Sequence, residues 1–257
     1  MIVSQESEHE FLTSVGRTEP NDKSYNQKIE SVLTESRMPQ DISDRIKTAK
    51  QALFLADLDL AMQGDPYLYA LVDKDHALPN PYIPDDLVTL GAKDKSYTVS
   101  RNNLSLRRIA EEALEEMASG ASLDGVILQA SSTYRSYQYQ VEVYSRNVRE
   151  NGQEVADRES ARPGYSQHQL GLVVDFGTIS DDYANTAAGR WLLKNAPTYG
   201  WTLSFPDGYE AITGYRWECW HYRFTGKPLA EFIGAWFNGI QQYALQFIYV
   251  WQNGKLY

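Results

Sequence analysis

Four histidines, His9, His76, His168 and His221, and a single cysteine, Cys219, set narrow limits on the metal chemistry open to this 257-residue chain. One thiol can form neither an internal disulfide nor a Cys-rich zinc site, so a metal would have to rest on imidazoles and carboxylates. Two of the histidines stand near carboxylates that look buried. In Ser166-Gln167-His168-Gln169-Leu170-Gly171-Leu172-Val173-Val174-Asp175, the His follows the turn-forming Pro163-Gly164 and the Asp is flanked by Val173, Val174 and Phe176. Asp is depleted in strands, and one held in such a run is expected to be partly buried. Burial makes a counter-charge necessary, and a divalent cation is one of the few groups that offsets the desolvation. Downstream, Trp217-Glu218-Cys219-Trp220-His221-Tyr222 places a Glu and a second His in another strand-like run.

A catalytic zinc takes about three protein ligands and leaves one position open for water, whose pKa it lowers to about 7. His168, Asp175 and His221 meet that count, and Glu218 is the candidate base that moves the proton from water to a departing amine. The competing reading is that each histidine is simply packed or exposed. The metal reading also makes a demand on the backbone. Residues three apart on a regular strand face opposite sides, so the strand must bulge, twist or end between Glu218 and His221 if both are to reach one site.

Several elements would have to position these groups. Apolar residues near helical spacing predict a helix over Ile42–Met62 that stops near Gly64-Asp65-Pro66, and Tyr67–Val72 reads as a short strand. Pro79, Pro81 and Pro84 require an extended connection over 73–90. A helix is expected over Ser105–Ser119 with Gly120 as its terminator, then a strand over Gly125–Ser131 and a helix over Tyr137–Glu150. Further strands are expected over Leu170–Phe176, Trp201–Phe205 and Trp217–Phe224, with a helix over Ala187–Ala196. Residues 228–250 carry an apolar face at helical spacing that would pack on the domain or meet a partner, packing being the simpler outcome. Helices and strands mix without regular alternation, which indicates an α+β fold. The boundaries drawn are a polar, partly helical extension over 1–65, either a tail or a docked helix with a breaker at 19–22, and a main domain over 66–257.

Composition narrows the partners. The chain is 42% apolar and 23% charged, as expected of a globular protein able to bury a core. Its net charge of −10 argues against a nucleic-acid backbone and against adsorption to anionic lipid. No apolar run is long enough to span a bilayer, and Met1–Glu10 has no signal-peptide pattern. The 18 Tyr and 6 Trp suit core packing, and also grooves that hold polar ligands.

The pattern Ser-x-His-x-x-Gly-x-x-x-Asp at 166–175 followed by Glu-x-Trp-His at 218–221 resembles the VanY-like D-alanyl-D-alanine carboxypeptidases, within a wider group of zinc peptidases that includes L,D-carboxypeptidases and some phage endolysins. Leu71-Val72-Asp73-Lys74, Leu78-Pro79, Tyr82-Ile83-Pro84 and Ser132-Thr133-Tyr134-Arg135-Ser136 with Gln140 match supporting motifs in the same order, so the resemblance covers roughly 66–226. It implies a hedgehog or D,D-peptidase-like fold in which a small antiparallel sheet, flanked by helices, presents Zn2+ on His168, Asp175 and His221 beside the base Glu218. It further implies that Arg135 meets the substrate carboxylate or the oxyanion, and that Gln140 and Ser166 contact the peptide or its carboxylate. The implied substrate is a peptidoglycan stem peptide, and the implied location is extracytoplasmic, with any export leader no longer attached.

Two departures stand out. Ser204-Phe205-Pro206 replaces an Arg-Tyr-Pro run and so removes a phenol, and Cys219 replaces a proline, as a fourth ligand or, more simply, a small buried residue. Alternatives are an L,D-carboxypeptidase, a cross-link endopeptidase, a binding module without catalysis, and a structural zinc. The last would need a fourth ligand.

Overall fold

The computed structural model describes residues 22–91 and 93–254. The polar stretch up to residue 21, including His9 and most of the breaker at 19–22, lies outside the described residues.

Helices α1 (Asp22–Glu35), α2 (Gln40–Thr48) and α3 (Gln51–Ala61) come first. The single helix expected over 42–62 is therefore two, because Ala49 and Lys50 take extended backbone. The break turns Ile42 and Ile46 on one helix, and Phe54 and Leu58 on the other, into the same core. Nor is 67–72 a strand. A 3-10 turn covers Pro66–Leu68, capped by Asp65 accepting from the Tyr67 N–H at 2.8 Å. The carbonyls of Tyr67, Leu68 and Ala70 instead accept from Nη2 of Arg223 at 3.0, 3.2 and 2.9 Å. Arg223 is fully buried, and burial draws its pKa down to about 9.

The proline-rich connection is extended as expected and ends in β1 (Leu87–Thr89). After β2 (Thr98–Val99), the start of the expected helix at 105 is in fact β3 (Ser105–Arg107), which pairs antiparallel with β1. Helix α4 (Arg108–Leu123) then runs through Gly120. That glycine does not end the helix; it makes room, since a Cβ there would lie 2.0 Å from the Tyr199 hydroxyl. Next come β4 (Gln129–Ser132), α5 (Tyr137–Asn151), α6 (Gln153–Glu159), β5 (Val173–Phe176), α7 (Ala187–Asn195), β6 (Trp201–Leu203), a short α8 (Glu210–Thr213) and β7 (His221–Phe224). Residues 228–250 form two helices, α9 (Lys227–Trp236) and α10 (Gln241–Asn253). Among the described residues no helix is long and apolar enough to cross a membrane.

The main sheet has the order β2-β4-β5-β7-β6. It is antiparallel except for the edge pair β2–β4, which is parallel. Helices around it complete the expected α+β arrangement. The first core lies between this sheet and helices α4 and α7. A second core forms where α1–α3 close on α9 and α10. At its centre the Phe54 ring lies 5.6, 5.1 and 5.5 Å from the rings of Phe232, Trp236 and Phe247. Phe54→Ala should therefore cost about 3–5 kcal/mol, read as a lower urea midpoint for the whole chain, because it empties a site with no solvent access. A loss below about 1 kcal/mol would mean that this helical layer contributes little to the folded unit.

Candidate metal centre

Strand β5 lies in the middle of the sheet with all four residues buried, and Asp175 stands opposite Ser132 of β4 and His221 of β7. Register alone thus sets His221 beside the carboxylate, with Nδ1 3.0 Å from Asp175 Oδ1. His168 comes from the 3-10 turn Gln167–Leu170, which ends at Gly171 in the left-handed region (φ 70). A Cβ at Gly171 would lie 2.9 Å from Arg107 Cγ, so both conformation and space call for glycine there. The turn places His168 Nε2 3.2 Å from Asp175 Oδ2, while its Nδ1 lies 2.7 Å from the Thr133 carbonyl. That contact fixes the tautomer, with Nδ1–H donating outward and the Nε2 lone pair facing Asp175.

The backbone condition placed on Glu218 and His221 is met by a strand that begins late. Residues 217–220 are not strand; the His221 N–H donates to the Glu218 carbonyl at 3.2 Å, and β7 starts at His221. The turn brings Glu218 Oε2 to 3.5 Å from His221 Nδ1. Cys219 points elsewhere, its Sγ lying 3.6 Å from the carbonyls of Ser180 and Asp181, which leaves it the small buried residue rather than a ligand. His76 is engaged away from the site, with Nδ1 2.7 Å from Asp73 Oδ1.

The donor set suits a divalent metal. One ligand atom each from His168, Asp175 and His221 lies within 4.8 Å of the others, and all three residues are buried. His168 Nε2 and Asp175 Oδ1 have no hydrogen-bond partner among the described residues, an expensive condition unless a cation accepts them. Zn–N and Zn–O bonds of 2.0–2.1 Å in a tetrahedron put ligand atoms roughly 3.3 Å apart, and the imidazole nitrogens of His221 and His168 stand 3.0 and 3.2 Å from the two Asp175 oxygens.

Electrostatics agree. Burial, reinforced by nearby Arg135, holds the His168 pKa down to about 4, so the ring is neutral and able to ligate. Burial alone would raise the Asp175 carboxyl, but His168 and His221, once protonated in acid, outweigh it and hold it well below the usual carboxylate range. Glu218 goes the other way. Burial, then the Asp175 charge, pushes it well above its ordinary value, although Arg135 and Arg216 oppose the shift. Two carboxyl groups in one site are thus driven apart, the pattern that separates an ionised ligand from a proton-carrying group.

Arg135 follows β4 and reaches back to the site. Its Nη2 donates to Asp175 Oδ2 at 3.4 Å and its Nη1 to Gln140 Oε1 at 3.1 Å. Gln140 is fully buried, and its amide nitrogen donates to the Ala161 carbonyl at 2.7 Å, so it stands behind Arg135 rather than in the cleft. Ser166 lines the cleft together with Arg135, Glu218 and the two histidines. Sequence reasoning did not single out Val72, Tyr165, Gln167 or Tyr215, which also line it. Tyr165 and Gln167 flank Ser166 in the segment already marked by its histidine, whereas no spacing rule marks Val72 or Tyr215, which arrive from separate segments. Phe205 was noted only for its missing hydroxyl; its ring packs 4.7 Å from His221 and 4.8 Å from Tyr215.

Comparison with known proteins agrees with this geometry. The family described as D-alanyl-D-alanine carboxypeptidase (VanY) matches residues 103–227. The chain is 35% identical over 178 residues to YodJ of Bacillus subtilis (strain 168), covering 67% of this chain and 65% of YodJ's own length, just under two thirds. Among solved structures it is similar to the LD-carboxypeptidase LdcB, with 33% identity and a TM-score of 0.62 over 69% of this chain and 85% of that one. A variant of the vancomycin-resistance D,D-pentapeptidase VanY, solved with Zn(II), aligns at 28% identity and a TM-score of 0.55 over 65% of this chain and 93% of that one. With the motif order, the sheet register and these similarities in agreement, the chain belongs to the VanY family.

Proposed function

We propose that the chain is a zinc-dependent D,D-carboxypeptidase that removes the terminal D-alanine from peptidoglycan stem peptides. The observation that carries this reading is the convergence of His168, Asp175 and His221 on one point, with unpartnered ligand atoms, beside a buried Glu218 and opposite Arg135. Held by His168, Asp175 and His221, Zn2+ would supply a water of lowered pKa and a Lewis acid for the scissile carbonyl. Glu218 takes the proton of the attacking water on a carboxylate oxygen and returns it to the leaving amine nitrogen. Its raised pKa suits a group that must hold that proton between the two steps. Arg135, steered by Gln140 and Asp175, presents its guanidinium to the oxyanion or the terminal carboxylate. In this reading the Ser166 hydroxyl donates to the same carboxylate, which its position in the cleft wall supports, and Gln140 acts through Arg135 as a positioning residue. The family description names D-alanyl-D-alanine as the substrate class, and LdcB is named for peptidoglycan recognition. A stem-peptide substrate puts the working location outside the cytoplasmic membrane.

Metal analysis of the purified protein should give about one zinc per chain, and a chelator should abolish D-alanine release from a stem pentapeptide, with zinc restoring it. Preference for a tetrapeptide would move the reading to L,D-carboxypeptidase, and a folded, zinc-supplied sample without metal would end it. Glu218→Gln should retain zinc and lose about a hundredfold or more in kcat, whereas His221→Ala should lose the metal itself. Near-full activity in Glu218→Gln would remove Glu218 from the role of base. Arg135→Ala should lower kcat by roughly 10²–10³ with zinc content unchanged, and an unaltered rate would take Arg135 out of the mechanism.

A further inference from the structure

Asp175 and His221 are held by strands of the main sheet, whereas His168 comes from a 3-10 turn and depends on other contacts for its aim. Its ring has an acceptor on each side. The Thr133 carbonyl lies 2.7 Å from Nδ1 and Asp175 Oδ2 lies 3.2 Å from Nε2. A neutral imidazole carries one proton, so the two acceptors compete for it. With the proton on Nδ1, the Nε2 lone pair is free for a metal. With the proton on Nε2, the ring donates to Asp175 and cannot ligate through that nitrogen. The placement of the Thr133 carbonyl therefore decides whether His168 is a ligand.

The main sheet does not hold that carbonyl. The β4–β5 ladder ends at the pair Ser132–Asp175, and the peptide joining Thr133 to Tyr134 lies beyond it. Ser105 of β3 grips this peptide at two points instead. Its carbonyl accepts from the Tyr134 N–H at 3.0 Å, and its own N–H donates to Thr133 Oγ1 at 3.0 Å. One peptide unit thus gives its N–H to β3 and its carbonyl to the His168 ring. Strand β3 also holds the far end of the His168 turn, where the Arg107 N–H donates to the Gly171 carbonyl at 2.8 Å. The Arg135 N–H closes the ring of contacts by donating to the His168 carbonyl at 3.2 Å. Thr133 is 1% exposed, and neither it nor Ser105 lines the cleft. A grip at two points resists rotation of the peptide plane. Removing the hydroxyl would leave one bond about which the plane can turn, and would strand the Ser105 N–H.

We propose that Thr133 is a positioning residue for the metal centre, whose hydroxyl, through Ser105, fixes the Thr133 carbonyl against His168 and so selects the tautomer that ligates. The inference rests on the zinc reading of the site and extends it to the β1–β3 ribbon, which carries no ligand of its own. What the position requires is an acceptor rather than a shape. Valine has the branching and nearly the volume of threonine but offers nothing to the Ser105 N–H, while serine keeps the acceptor and loses only the methyl group. Hydrogen bonds behind a metal ligand are worth roughly 10- to 100-fold in metal affinity.

Zinc affinity of the full chain, measured by competition with a chromophoric chelator, should fall about tenfold or more in Thr133→Val and return to within about twofold of the wild type in Thr133→Ser. The visible spectrum of the cobalt-substituted chain should change in the first variant and not in the second. A Thr133→Val chain with a lower urea midpoint but unchanged zinc affinity and cobalt spectrum would reduce the hydroxyl to a packing role and overturn the proposal. Equal losses of zinc affinity in the two variants would overturn it as well. Long-range proton–nitrogen NMR of the zinc-free wild type should place the His168 proton on Nδ1, and Thr133→Val should move it toward Nε2. A wild-type proton on Nε2 would overturn the proposal even if Thr133→Val failed to fold. A folded wild type that takes up no zinc ends the carboxypeptidase reading, and the tautomer in the zinc-free chains then decides the role of Thr133 alone.

Discussion

A carboxylate buried at the centre of a sheet must be compensated from several sides, and Asp175 is that carboxylate. It sits on a strand with neighbours on both edges, so its backbone is fully engaged and its side chain is fixed to one face. The surrounding structure supplies the compensation: His221 across one ladder, Arg135 from the end of the strand across the other, and His168 from a tight turn. Each approaches through a different kind of backbone geometry, yet all converge on one pair of oxygen atoms. A slip of one residue in β5 would send Asp175 into the apolar core beneath the sheet and bring Val174 into the site, so the ligand set and the packing of the core enforce the same register.

The helices outside the motif-bearing part are tied to this centre by buried polar contacts. Gln242 of α10 donates to Asp73 Oδ2 at 2.8 Å, next to Val72 in the cleft wall, and His76 closes on the other oxygen of the same carboxylate. Gln241 donates to Thr202 Oγ1 at 2.7 Å, and neighbouring Ser204 donates to Gln167 Oε1 at 2.8 Å, a residue that lines the cleft. Satisfied buried networks of this kind fix one arrangement of the groups they join. The second core of α1–α3, α9 and α10 thus backs the cleft, although none of its residues takes part in the chemistry.

The replacement of Arg-Tyr-Pro by Ser204-Phe205-Pro206 acquires a physical meaning in this setting. Ser204 serves the network to Gln241 and Gln167, where a long cation would find no room beside buried amides. Phe205 gives an apolar face to His221, and the phenol missing at 205 is present on the Tyr215 ring that packs against it at a tilt. Tyr215 belongs to a separate loop, so the two positions cannot be connected by reading along the chain.

By itself the sequence determined which residues could hold a metal and which could move a proton. His and carboxylate are scarce among apolar strand residues, and a carboxylate placed there demands a cation, so residue type and local pattern carried the information for His168, Asp175, His221 and Glu218. Element type was also largely legible, because helical and strand periodicities are local properties. Tertiary structure decided the rest. The breaks at Ala49-Lys50 and near Gly239 satisfy a shared core that no single segment describes. The segment 67–72 gives its carbonyls to Arg223, a buried cation more than 150 positions away, and so never enters a ladder. Gln140 sits behind Arg135, and Tyr215 and Lys74 line a common cavity, because contacts between distant segments, unlike periodicity, leave no mark on neighbouring residues.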